Sequence, residues 1–224
     1  KRKVLAVLLC AAMTAALAVG CGGSKGSDSS DKSSDSSSSS DDVITVGFSQ
    51  VGAESDWRTA NTESMKSTFS EDNGYELIFD DAQQKQENQL TAIRNFIQQE
   101  VDYILLAPVT ETGWDTVLQE AKDAGIPVII VDRMVDVSDD SLYTTWIGTD
   151  ALCEGRKAAE WLNGFAEAKG IAASDIHIAD IQGTIGASAQ IGRTQGFDDA
   201  VEAHDNWTTL AQQSGEFTQA KGQE

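Results

Sequence analysis

The chain has 224 residues, a hydrophobic fraction of 40%, which is enough to build a buried core, and a formal net charge of −20 at neutral pH. Such an excess of carboxylates disfavours nucleic acid and anionic lipid surfaces as partners of the folded part, because these carry charge of the same sign. The chain holds only three cysteines, so it has no disulfide framework and must be stabilised by its hydrophobic core.

The first residues have the layout of a secretory signal. Basic residues 1–3 precede an apolar run over residues 4–19, which is too short for a comfortable membrane span. The sequence LAVGC ending at Cys21 resembles the bacterial lipobox, although Ala18 stands where leucine is usual. We therefore expect a signal peptide over residues 1–20 and a lipid on Cys21, with an ordinary cleaved signal as the alternative.

A polar tract follows the expected lipid site. Residues 22–42 consist almost entirely of Ser, Gly and Asp and contain no apolar side chain to bury. A segment of this composition cannot offset its own conformational entropy, so we expect it to stay disordered. Together with a lipidated Cys21, residues 21–42 would form a flexible tether that holds a folded domain away from a membrane.

From residue 43 onward, short apolar runs alternate with amphipathic segments of helical period. Strands are predicted over residues 43–48, 75–80, 101–108, 126–132 and 141–148. Helices are predicted between the first four of them, over residues 57–72, 87–100 and 114–125. Strands that are apolar throughout and alternate with helices predict an α/β fold in which a parallel sheet is covered by helices on both faces.

The same rhythm then starts again. The next predicted elements are a helix over residues 150–168, a strand over 175–183, a helix over 187–203 and a strand over 207–213. The sequence stops where another helix opens, so we expect a fragment whose second lobe is incomplete. The predicted organisation is an N-terminal α/β lobe over residues 43–148 and a partial C-terminal α/β lobe over residues 149–224.

Polar and aromatic side chains gather where the predicted strands end. In open parallel sheets, ligands bind beyond the carboxyl ends of the strands. Aromatic rings pack on the C–H faces of sugars, while carboxylates and guanidinium groups hydrogen-bond their vicinal hydroxyls. The residues at these strand ends therefore predict a sugar site. They are Glu54, Ser55, Trp57 and Arg58 after the first strand, Asp132 and Arg133 after the fourth, and Arg193 after the strand that starts at residue 175.

Simpler interpretations exist for several of these residues. Trp57 could be a packing residue at the start of a helix, and Arg58 could be a solvated side chain. That position is electrostatically poor for a cation, however, which favours a ligand role for Arg58. Asp132 could cap a loop, and Arg193 could lie on a helix surface.

Over residues 43–224 the sequence resembles the sugar receptors of the periplasmic-binding-protein-like class, in its ribose/galactose group, and is similar to the galactofuranose-binding components of ABC transporters. The stretches that carry the resemblance are VGFSQVGAESDWRTA, DAQQKQENQLTAIRNFI, VDYILLAPVTETGW, LQEAKDAGIPVIIVDR and IQGTIGASAQIGRTQGF. The resemblance implies a two-lobed fold that binds a monosaccharide through residues 54–58, Asp132, Arg133 and Arg193. Asp56 departs from the pattern, because relatives tend to carry glycine there.

The resemblance implies an extracytoplasmic lipoprotein, anchored to the cell membrane by its lipid alone, that delivers a monosaccharide to an ABC permease. It also implies a monomer without enzymatic activity, cofactor or metal. A receptor that presents sugar to a sensor kinase or chemoreceptor is the alternative, since both would use the same closed state. A sugar-responsive transcription regulator would need a DNA-binding module before residue 43, where the signal and tether stand. An enzyme is disfavoured, because neither a nucleophile–base pair nor a phosphate-binding glycine loop is visible.

Overall fold

The computed structural model describes residues 43–224. The predicted signal peptide over residues 1–20, the lipid on Cys21 and the tether over residues 21–42 lie outside the described residues and stay predictions. Within residues 43–224, none of the helices is both long and apolar enough to cross a membrane.

Within the described residues, five parallel strands form a first sheet in the order β2-β1-β3-β4-β5. The strands are β1 (Ile44–Gln50), β2 (Tyr75–Asp81), β3 (Tyr103–Leu106), β4 (Val128–Asp132) and β5 (Thr145–Gly148). The helices between the first four strands are α1 (Asp56–Thr68), α2 (Gln86–Gln98) and α3 (Asp115–Asp123). The predicted α/β class with a parallel sheet flanked by helices is confirmed.

The first sheet is buried on both faces. One face encloses a core with α2 and α3 that includes Phe96, Ile104, Trp114, Leu118 and Ile130. The opposite face forms a second core that includes Val46, Phe48, Leu105 and Val131 and packs against Met65 of α1. Because consecutive residues of a strand point into different cores, the strands are apolar at successive positions instead of alternate ones.

Two predicted elements have one boundary that differs from the structure by about one helical turn, or roughly four residues. The helix predicted over residues 57–72 ends as α1 at residue 68, and a separate 3-10 turn over Glu71–Asn73 follows it. The strand predicted over residues 141–148 corresponds to β5 but starts later, at Thr145, because Asp140–Leu142 forms another 3-10 turn. The Asp139 carboxylate caps that turn by accepting the backbone N–H of residue 141 at 2.9 Å. All other predicted strands and helices match the structure to within two residues at each end.

Two parallel strands form a second sheet in the described part of the chain, β6 (Ile176–Gln182) and β7 (Trp207–Ser214). It is accompanied by α4 (Ala151–Ala168), α5 (Ser188–Glu202) and the short α6 (Gln219–Gln223). The large apolar side chains of Ile181 and Leu210 are more than 60% exposed. A two-stranded sheet with such faces has little stability of its own. The division into lobes at residues 148 and 149 stays a prediction.

Helices α4 and α5 approach each other closely through glycines. A methyl group on Gly155 would overlap the backbone carbonyl of Arg193, and one on Gly196 would overlap the carbonyl of Leu152. This close contact brings the side chain of Arg193 on α5 within reach of Glu154 on α4, and their ion pair measures 2.8 Å. The close packing of the two helices therefore fixes the position of Arg193 relative to α4.

Candidate functional site

The candidate site begins where α1 starts, directly after the carboxyl end of β1. Ser55 is the N-cap of α1, and its Oγ accepts the backbone N–H of Arg58 at 3.1 Å. This cap satisfies one of the free N–H groups at the start of the helix. It also fixes the first turn of α1, which carries Trp57 and Arg58, at the edge of the first sheet.

Arg58 is the centre of a buried polar cluster, and only 3% of its side chain is exposed. Its Nε donates to Oε1 of Glu54 at 3.0 Å, and its Nη2 donates to Oδ2 of Asp132 at 2.7 Å. Its Nη1 donates to Oε1 of Gln50 at 3.2 Å. The solvated interpretation of Arg58 is therefore wrong, because the guanidinium is held on each of its nitrogens by a protein oxygen.

Asp132, the last residue of β4, has a left-handed backbone with φ of 65°. Aspartate tolerates this conformation better than most residues, but it still costs on the order of 1–2 kcal/mol. The Asp132 carbonyl accepts the indole N–H of Trp146 at 3.1 Å. Gly148 lies opposite on β5, where a methyl group would overlap that carbonyl. These contacts hold the turn that brings the Asp132 carboxylate to Arg58.

Arg133 is equally buried, and its Nη1 donates to the backbone carbonyl of Val109 at 3.0 Å. Its Nη2 lies 3.5 Å from Oε1 of Glu54, so this carboxylate oxygen serves both arginines. Burial, with a contribution from the positive charge of Arg58, lowers the pKa of Arg133 to about 10. The carboxylates of Glu54 and Asp132 oppose that shift, and the guanidinium stays protonated at neutral pH.

One carboxylate oxygen of the cluster accepts no hydrogen bond from the described residues. Glu54 Oε2 is buried and has no hydrogen-bond partner among the described residues. A buried carboxylate oxygen without a partner carries a desolvation penalty, which the two flanking guanidinium groups offset only in part. Arg58 and Arg133 thus hold Glu54 in place, and the burial of its carboxylate depends on both of these ion pairs.

The segment between β7 and α6 contributes an aromatic ring to the same region. Phe217 lies in the segment after β7, and its ring centroid is 4.8 Å from Cζ of Arg133 and 6.0 Å from Cζ of Arg193. At these distances the ring face attracts both cations. Arg193 itself is 45% exposed and donates from Nε to Glu154.

All seven side chains predicted from the sequence line one cavity of about 310 Å³. This volume lies at the lower end of the range for small-molecule sites, roughly 300–1,000 Å³. Trp57 is 56% exposed, and its ring centroid lies 4.9 Å from Cζ of Arg58. The other lining residues were not predicted from the sequence and are Thr149, Glu154, Ala189 and Phe217.

The residues that sequence reasoning missed had weak signals. The segment that contains Phe217 was interpreted only as the opening of a helix, although an aromatic residue after a strand was the signal that identified Trp57. Gln50 lies just beyond the strand predicted over residues 43–48 and is not among the predicted site residues, yet its side chain is fully buried. Glu154 lies inside α4, and nothing in the local sequence indicates that it faces Arg193.

A larger cavity of about 570 Å³ adjoins the first and shares Glu154, Arg193 and Phe217 with it. Its remaining walls come from the second sheet and from α4 to α6, and neither buried arginine reaches it. The smaller cavity is therefore the better candidate, because buried charged groups converge there at the carboxyl ends of strands. Among residues 43–224, no group of three or more His, Cys, Asp or Glu side chains could hold a metal ion.

Comparison with known proteins assigns the chain to a family. A family model described as a periplasmic binding protein domain matches residues 46–224. The chain is 47% identical over 181 residues to the galactofuranose-binding protein YtfQ of Escherichia coli strain K12. That match covers 81% of this chain and 55% of YtfQ.

Solved structures give the same picture. The periplasmic binding protein component of the arabinose ABC transporter from Shewanella sp. ANA-3, bound to α- and β-L-arabinofuranose, is 51% identical with a TM-score of 0.72. A Mycobacterium smegmatis structure in complex with β-D-fucofuranose is 49% identical with a TM-score of 0.75. Each match covers 80% of this chain, and 57% and 58% of the two solved chains. The chain thus spans little more than half the length of these relatives.

Proposed function

Because the chain belongs to the periplasmic binding protein domain family, we propose that it is a solute-binding protein that captures a monosaccharide in the 310 Å³ cavity. The observation that carries the proposal is the buried cluster of Arg58, Arg133, Glu54 and Asp132 lining that cavity beside an aromatic ring. The furanose ligands of the solved relatives support a sugar in its furanose form.

The charges of the cavity favour a neutral ligand. Two buried arginines face two carboxylates, and Arg193 is paired with Glu154, so the formal charges cancel. An anionic sugar would therefore meet no surplus positive charge to compensate its own desolvation. A neutral sugar offers hydroxyl groups that can donate to Asp132 and accept from Arg133 or Arg193 without disturbing the balance.

The proposed mechanism is capture by closure of two lobes. Two contacts between residues around the first sheet and residues around the second support it. The backbone N–H of Glu111 donates to the carbonyl of Gly186 at 2.9 Å, and that of Met134 donates to Oγ of Ser188 at 2.7 Å. The sugar would stabilise the closed form, which then docks on an ABC permease. A receptor for a sensor kinase or chemoreceptor is the alternative that uses the same closed form.

We propose that the protein performs no chemical step. The carboxylates of the 310 Å³ cavity belong to Glu54, Asp132 and Glu154, and each is held in an ion pair with an arginine, which disfavours a role as the base of a nucleophile. Ser55 reaches the cavity, but its Oγ is engaged as the cap of α1. Monomeric action without a cofactor fits a protein that only binds and releases a sugar.

Titration calorimetry on the full-length protein tests the proposal. L-arabinose, D-galactose and D-fucose supply furanose forms in solution, whereas methyl α-D-galactopyranoside is locked as a pyranose and D-galacturonate carries a charge. We expect at least one of the first three to bind with micromolar or better affinity and the last two to bind far more weakly. Equal binding of the pyranoside, or binding of none of the sugars, would contradict the proposal.

Trp57→Ala should weaken sugar binding by about 1–3 kcal/mol, because it removes an apolar ring face from the rim of the cavity. Its effect on folding should be small, since the ring is more than half exposed. Trp161→Ala is the matched control, because Trp161 is also exposed but lies on α4 and outside the lining of the cavity. Calorimetry should give a weaker sugar affinity for Trp57→Ala than for Trp161→Ala. Equal affinities of the two variants would show that Trp57 does not contribute to sugar binding.

Attachment to the membrane is a further part of the proposal. A lipid on Cys21 would keep the binding protein at the outer or periplasmic face of the cytoplasmic membrane, close to a permease. Cys21→Ser should release the protein from the membrane fraction or leave it unprocessed, with circular dichroism of the folded part unchanged. Fractionation and mass spectrometry of the mature N-terminus measure this, and normal processing with membrane retention in the variant would exclude the lipid.

A further inference from the structure

Gln50, at the carboxyl end of β1, is a fully buried amide with every hydrogen-bonding position in use. Its Nε2 donates to Oδ1 of Asn61 at 2.8 Å and lies 3.1 Å from Oγ1 of Thr62. Its Oε1 accepts the backbone N–H of Val51 at 3.0 Å and Nη1 of Arg58 at 3.2 Å. The side chain therefore joins strand β1, helix α1 and a guanidinium of the candidate site.

The orientation of this amide is determined by its neighbours. Turning it over would place the Gln50 NH₂ group against the Val51 N–H and Arg58 Nη1, which can only donate. It would also place the carbonyl oxygen against Asn61 Oδ1, which accepts in the observed arrangement. The backbone N–H of Val51, which lies outside the site, thus holds the oxygen of Gln50 towards Arg58.

Burying an amide is favourable only where its hydrogen bonds are made, and those of Gln50 are all made to α1, to the Val51 N–H and to Arg58. We infer that Gln50 is a positioning residue: it holds Nη1 of Arg58, so that Nε faces Glu54 and Nη2 faces Asp132. The Asp132 carboxylate is thereby fixed at the wall of the cavity. The inference rests on the proposed function, because it takes this cavity to be the sugar site.

Two substitutions at Gln50 separate positioning from packing. Gln50→Met keeps the volume and removes the acceptor for Arg58, whereas Gln50→Glu keeps an acceptor oxygen and adds a buried charge. If Gln50 only fills space, the methionine variant should bind sugar better than the glutamate variant. If it positions Arg58, the order is reversed, because the Thr62 hydroxyl and the Asn61 amide can turn to donate to a carboxylate.

The measurement is calorimetry with L-arabinose and D-galactose on the full-length protein. We expect Gln50→Met to bind about tenfold to a hundredfold more weakly than wild type, as for loss of a hydrogen bond to a charged group. Gln50→Glu should bind more tightly than Gln50→Met. Val117→Ala, a buried core change on α3 away from the cavity, is the control for destabilisation, and it should lower the melting temperature while leaving affinity unchanged. Wild-type affinity in Gln50→Met, or tighter binding by Gln50→Met than by Gln50→Glu, would overturn the inference.

A double-mutant cycle on unfolding tests the same contact without a ligand. If Gln50 acts through Arg58, the effects of Gln50→Met and Arg58→Met on urea unfolding should be strongly non-additive. Additive effects would overturn the inference. If the wild-type protein binds none of the sugars, the proposed function fails, and this cycle alone then decides whether Gln50 holds Arg58.

Discussion

Arg58→Met should lower the free energy of unfolding by about 3–5 kcal/mol, the cost of leaving a buried charge without its partner. Glu54 would lose its 3.0 Å bond while its other oxygen already lacks a partner among the described residues. The Asp132 carboxylate would lose its 2.7 Å bond from Nη2 of Arg58. Methionine fills a similar volume, so the effect measures the charge network and not a cavity. Urea unfolding followed by circular dichroism gives the value.

Arg94→Met is the matched control for that experiment. Like Arg58, Arg94 makes two hydrogen bonds to carboxylate oxygens, here from Nε and Nη2 to Glu120 at 2.8 and 3.0 Å. Both side chains are, however, more than a third exposed. Exposed pairs contribute little because water and salt screen them, so this variant should unfold almost like wild type. Similar losses in Arg58→Met and Arg94→Met would show that burial of the cluster does not set its energy.

A second variant identifies the charge responsible. Adding Glu54→Gln to Arg58→Met neutralises the carboxylate from which the first substitution removes one of two arginine partners. The double variant should therefore recover part of the stability, although the remaining Arg133 would lose an ionic partner. A double variant that is less stable than Arg58→Met by the full cost of Glu54→Gln alone would show that the two residues act independently.

The sheet and most of its helices could be predicted because their causes are local. Continuous apolar runs, a 3.6-residue period and turn glycines are visible in any short window. The errors arose where a short polar interaction competes with a longer element. Asp139 caps a 3-10 turn where a strand was predicted, and the side chain of Asn73, in the 3-10 turn after α1, donates to the carbonyls of Ser67 and Thr68 at the end of that helix.

The candidate site could be predicted only as a location. Side chains after parallel strands share one edge of the sheet, so the convergence of Trp57, Asp132 and Arg193 on one cavity follows from topology. The hydrogen bonds inside the cluster cannot be predicted from local sequence, because Arg58 and Asp132 are 74 residues apart in the chain. An arginine in the first turn of a helix is ordinarily solvated, and its burial depends on acceptors that only the folded chain assembles.

Asp132→Ala should weaken sugar binding by about 2–5 kcal/mol, enough to abolish measurable binding of a micromolar ligand. The change removes a carboxylate from the wall of the cavity and leaves Nη2 of Arg58 without its partner there. Arg133→Ala should have an effect of similar size, because it removes one of the two arginines that pair with Glu54 and leaves the Val109 carbonyl without its donor. Arg193→Ala should cost less, since that side chain is 45% exposed.

Asp132→Asn separates the charge of the side chain from the backbone conformation. Asparagine tolerates the left-handed φ of 65° that alanine disfavours, and its amide oxygen can still accept from Arg58. We therefore expect Asp132→Asn to bind sugar with an affinity between those of wild type and Asp132→Ala, at nearly wild-type stability. Asp123→Ala, an exposed change at the end of α3, should leave affinity unchanged. If Asp132→Ala and Arg133→Ala are folded and both bind as tightly as wild type, the sugar does not occupy this cavity.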